Sequence, residues 1–169
     1  MDTFDVALLI LRLAVGGILA AHGFHKIFLG AGLSGNGAWF DGLGMRPGQV
    51  HARFAAFTEI TAGIAMMLGI FTTIAAAAFV AVMLVAGWIV HRAKGFFIMA
   101  AGWEYAMLIA VSAVAIAMLG SGSLSVEQLV FGDNILTGWS GLVVAAGAGI
   151  IGGVGQMLLF YRPSRVVAA

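Results

Sequence analysis

Long apolar runs dominate this chain, broken by short polar or glycine-rich stretches. A helix rises about 1.5 Å per residue, so about 20 mostly apolar residues cross the hydrocarbon core of a bilayer. Five stretches predict such spans: about 5–29, 52–70, 73–90, 102–119 and 138–161. The second and third are parted only by a short turn around Phe71-Thr72, which predicts a tight antiparallel hairpin. Between the first two, NGAWFDGLGMRPG places Trp39 and Phe40 beside Asp41, which suits the headgroup zone. It predicts a short interfacial helix over 36–43, with Pro47 opening the next span. After the fourth span, SLSVEQL predicts a short surface helix.

Charge sharpens this picture. If five spans alternate sides, one side receives Arg46, Arg53, Arg92, Lys94, Arg162 and Arg165, with Asp41 as its main acid. The other receives Asp2, Asp5, Glu127 and Asp133 and no Lys or Arg. The positive-inside rule then puts the N-terminus outside and the C-terminus in the cytoplasm. Composition agrees on the class: 62% of residues are hydrophobic and 9% charged, with mean hydropathy +1.09. Such a chain cannot coat itself with polar surface, so an all-α, polytopic membrane helix bundle in contact with the lipid bilayer is expected. A net charge of +1 without basic runs argues against a nucleic-acid partner. The absence of cysteine removes disulfides, thiol redox chemistry, zinc–thiolate sites and cysteine-ligated Fe–S clusters. The acidic start MDTFD reads as the lead into a retained span rather than a signal peptide.

The fifth span carries Gly141, Ala145, Gly149 and Gly153 four residues apart, on one face. Such a stripe admits another helix at close range. Two readings stay open: packing within the chain's own bundle, or an interface with a second copy or a partner protein.

Candidate chemistry lies within or near the spans, at Arg12, His22, His25, Lys26, Glu59, His91 and Glu104. Charges in a membrane are costly and need partners, so they mark sites. His22 and Lys26 share a face at i, i+4. Lys26 can also snorkel to the headgroups, and His25 faces elsewhere. Arg12 and Lys26 against Glu59 and Glu104 make a neutral set, and a buried network of these four with His22 and His91 is expected near the inner leaflet. A quinone headgroup suits such a pocket, because it takes hydrogen-bond donors and a proton route between apolar walls. A di-metal carboxylate site is disfavoured, because no Glu-x-x-His pair is present. A haem held by His22 and His91 has little support.

LLILRLAVGGILAAHGFHKIF resembles the first helix of the DoxX family of bacterial membrane proteins, through Arg12, His22, Gly23, Lys26 and Phe28. Further along, AWFDGLGMRP, FAAFTEITAGIAMMLGIFTTIAA, HRAKGFF and GWEYAML resemble later family segments, and these carry Glu59, His91 and Glu104. The resemblance implies a four-helix core over about residues 1–128, with 129–169 adding a loop, a fifth transmembrane helix and a short cytoplasmic tail. It implies residence in the bacterial cytoplasmic membrane and kinship with the membrane subunit of thiosulfate:quinone oxidoreductases. The function it implies is that of a membrane subunit of a redox complex, linked to oxidative stress or to sulfur and quinone, with soluble or membrane redox partners. On that reading Glu59 and Glu104 relay protons, while His22, His91, Lys26 and Arg12 bind the ligand. A non-catalytic anchor for soluble redox enzymes and a small proton-coupled transporter are the alternatives.

Overall fold

The computed structural model describes residues 2–163. Seven helices account for most of them: α1 (Thr3–Phe28), α2 (Gly32–Gly42), α3 (Gly48–Leu68), α4 (Thr72–Lys94), α5 (Glu104–Leu119), α6 (Val126–Phe131) and α7 (Gly138–Phe160). Two contain π-helical turns, at Gly87–His91 in α4 and Val143–Ala148 in α7. The five long helices form an antiparallel bundle, and the fold is an all-α membrane helix bundle. α1, α4 and α7 are each long and apolar enough to cross a membrane. α3 has 21 residues but carries His51, Arg53 and Glu59, and α5 has only 16. Hydropathy alone therefore undercounts the bundle, because α3 turns His51 and Glu59 inward.

Much of the outer surface is apolar. Ile10, Leu108, Val111, Ile151 and Leu158 are exposed, and this is the surface that a bilayer covers. The core is built from small residues and a few large ones: Leu8, Leu19, Phe79 and Ile116 meet Ala75, Ala76, Ala113, Ala117 and Ala145. Ala145 of α7 belongs to this same core, and the residue 128/129 boundary expected between segments falls inside α6.

The α1–α3 seam is tight. A Cβ on Gly16 would sit 2.6 Å from the Gly63 carbonyl oxygen, and one on Gly23 would sit 2.6 Å from that of Ala56. Glycine at these positions lets two backbones touch. The hairpin between α3 and α4 turns through Gly69 (φ 65°) and Phe71 (φ 48°). α2 runs longer than the 36–43 helix expected, and its Asp41 carboxylate accepts the Gly48 N–H at 2.7 Å, satisfying a free donor at the start of α3.

The glycine stripe of α7 faces inward. Gly141 abuts the Ala117 carbonyl of α5, Gly149 abuts Val80 and Ala77 of α4, and Gly153 abuts Ala81. Ala145 is fully buried. The homodimer or partner interface held open for this stripe is therefore already filled by the chain's own helices.

The bundle has two chemically distinct ends. Asp5, Glu127 and Asp133 lie at the end where α1 begins. Lys26, Arg46, Arg53, Arg92, Lys94 and Arg162 lie at or near the other end. Arg165, counted with this basic set, lies outside the described residues.

Candidate functional site

Near the basic end, α1, α2, α3, α4, α5 and α7 line a partly open cavity of about 180 Å³. Most of its wall is apolar, including Leu19, Phe54, Val85, Ile89 and Ile109. Its polar wall comprises His22 and Lys26 of α1, His51 and Glu59 of α3, His91 of α4, Tyr105 of α5 and Gln156 of α7.

Lys26 and Glu59 form its central feature. The Lys26 Nζ donates to both carboxylate oxygens of Glu59, at 2.8 and 2.5 Å. Glu59 is only 4% exposed, so the ammonium is the charge that makes an ionised carboxylate tolerable there. The pair crosses the α1–α3 seam beside Gly23, where close helix approach brings the two side chains into reach. His22, on the Lys26 face of α1, lies 6.2 Å from the Tyr105 ring, centroid to centroid.

His91 reaches the cavity from the π-helical turn of α4. An inserted π turn shifts the side chains that follow it, and such turns recur at functional sites. The His91 Nδ1 lies 2.7 Å from the Ala101 carbonyl oxygen. A carbonyl only accepts, so Nδ1 carries a proton and Nε2 is left free. Glu104 does not line the cavity. Its carboxylate accepts the Ile98 N–H at 2.8 Å and so braces the connection between α4 and α5 that presents Ala101.

Arg12 is placed elsewhere. It is fully buried near the acidic end, where its Nη2 donates to the Leu124 carbonyl and its guanidinium packs on Gly69. The single network expected from Arg12, Lys26, Glu59 and Glu104 thus divides into three: an ion pair at the cavity, a loop brace at Glu104, and an Arg12 cluster at the opposite end. The physical cause is span length. Arg12 stands 14 residues before Lys26, about 21 Å along the helix axis.

Two groups of polar residues went unmarked as functional in the sequence. One is Glu127, 1% exposed, which accepts the backbone N–H groups of Thr72 at 3.1 Å and Ile135 at 2.7 Å. It anchors α6, so the segment read as a surface helix is tied into the bundle. The i, i+3 pattern of Ser125 and Gln128, with Ser125 Oγ accepting the Gln128 N–H, marks that helix's start but not its burial. The other is His51 with Gln156, whose signal in the sequence was only that each interrupts or borders an apolar span.

Fold and cavity together define a polytopic helical membrane protein with a small, mainly apolar cavity near its basic end that carries a few polar and ionisable side chains. The family model described as DoxX matches residues 7–92, just over half of the chain, and the chain belongs to the DoxX family. The matched segment holds every imidazole and charged group that lines the cavity; Tyr105 and Gln156 lie beyond it. Neither curated proteins nor solved structures yield a match.

Proposed function

We propose that this protein is the membrane subunit of a redox complex and that its cavity binds a quinone headgroup. The cavity carries the reading: an apolar-walled space of about 180 Å³ into which five helices bring hydrogen-bonding or ionisable side chains. An engineered apolar cavity of about 150 Å³ accepts benzene, so a single substituted ring is of the right scale. A ring with carbonyl oxygens also needs donors, which His22 and Lys26 supply.

A quinone bound there would take two electrons from a partner protein and two protons to become a quinol. Glu59 is the carboxylate at the cavity and the proposed proton carrier, with Lys26 balancing its charge. His22 supports the ligand from α1. His91, with Nδ1–H fixed on Ala101, presents Nε2, which accepts from a quinol hydroxyl when neutral and donates to a carbonyl as imidazolium. Glu104 acts at one remove, as a positioning residue for His91. Arg12 supports the far end of the bundle. The basic end would face the cytoplasm by the positive-inside rule, with the N-terminus outside and the C-terminus inside, so protons would enter from that side.

The test is mass spectrometry of the organic extract from protein purified in mild detergent, for wild type, Glu59→Gln and His22→Ala. Near-stoichiometric quinone in wild type, with at least tenfold less in the folded variants, is the expected result. Equal quinone in all three would remove these residues from the site. Its absence from all three would favour a membrane anchor without a ligand.

A further inference from the structure

We infer that His51, held by Gln156 of α7, is a second ligand-binding residue of this cavity and donates its Nε2–H to an acceptor on the bound ring. The inference rests on the quinone reading above. It starts from an unpartnered atom. His51 is 3% exposed and lines the cavity, and its Nε2 is buried without a hydrogen-bond partner. The other ring nitrogen, Nδ1, lies 3.1 Å from the Gln156 amide nitrogen. An amide NH₂ only donates, so Nδ1 is the acceptor and the neutral ring carries its proton on Nε2.

The ring is clamped in place. Phe160 meets it edge to face at 4.9 Å and Phe40 lies tilted at 6.5 Å. The Arg46 backbone carbonyl also faces the ring as a competing acceptor, although its geometry with Nε2 falls short of a full hydrogen bond. A buried N–H without an acceptor is rare in folded proteins because keeping it is costly. An acceptor on a ligand in the cavity removes that cost. His51 then adds a donor to those of Lys26 and His22, which favours a ring bearing at least two oxygen acceptors over a hydrocarbon. Gln156 lies beyond the family-matched segment, so α7 adds the group that sets the His51 tautomer in this chain.

The experiment uses the full chain in mild-detergent micelles with ¹⁵N-labelled histidine, titrated with a short-chain benzoquinone. NMR reads which His51 nitrogen is protonated, with His51→Gln supplying the assignment. The expected result is a proton on Nε2 and a shift of that resonance as quinone binds. Gln156→Met and His51→Phe should each weaken binding about tenfold, and His51→Gln, which keeps a donor, should recover part of the loss. A proton on Nδ1, or a resonance that stays put while quinone binds, overturns the role of His51 and leaves the quinone site standing. If the wild type takes up no quinone, both readings fall together.

Discussion

Gly23→Ala tests whether the α1–α3 seam is as tight as the structure requires. The new Cβ would stand 2.6 Å from the Ala56 carbonyl oxygen, 2.8 Å from Ile60 Cγ1 and 3.0 Å from Glu59 Cβ. The carbonyl belongs to a helix backbone and cannot turn aside, so α3 must retreat by about 0.8 Å to reach ordinary contact at 3.4 Å. A gap of that size forfeits about a quarter to a half of each dispersion contact along the seam. Overpacking of this kind costs about 1–3 kcal/mol. Gly17→Ala is the control. It lies on the same helix, but its Cβ would meet only Met67 Sδ at 3.7 Å. Helix propensity favours Ala over Gly by about 1 kcal/mol at both sites, so propensity alone predicts two stabilised proteins. Packing predicts opposite signs: Gly17→Ala neutral or slightly stabilised, Gly23→Ala destabilised. Unfolding of purified protein in mixed micelles, followed by circular dichroism, measures both. Equal shifts would refute the packing argument, and with it the claim that this seam brings Lys26 to Glu59.

Two further outcomes follow from the buried contacts. Glu127→Ala leaves the Thr72 and Ile135 N–H groups without their acceptor, at about 1–3 kcal/mol each, and should speed proteolysis between residues 120 and 137; an unchanged cleavage rate would show that Glu127 does not hold this segment. Gly149→Val drives its Cβ to 2.5 Å from Val80 Cβ and should destabilise the bundle without changing oligomeric mass, whereas Gly155→Val, with nothing within 4 Å, should be neutral. Light scattering after size exclusion separates these outcomes, since a partner interface at the stripe would show as a change of mass.

Hydrophobic run length by itself determined the membrane class, and the Phe71-Thr72 turn and Pro47 marked where helices begin and end. The segregation of Lys and Arg from Asp and Glu was equally legible, because it follows from loop order alone. Depth along each helix also came through: His22, Lys26, Glu59 and His91 are near one end, as counting residues requires. Only the tertiary structure decided which of these groups meet. Helical periodicity sets the face a side chain occupies on its own helix, but not the neighbour that face will touch. Hence Lys26 finds Glu59, while Arg12, of the same charge and on the same helix, serves the opposite end with Leu124 and Gly69. Glu127 was read as part of a surface helix because nothing local records that this segment folds back onto α1 and α4. The glycine stripe of α7 was visible, yet a stripe of small residues states only that something comes close. Packing against α4 and α5 supplied the answer, and the same packing brings Gln156 within reach of His51, 105 residues earlier in the chain.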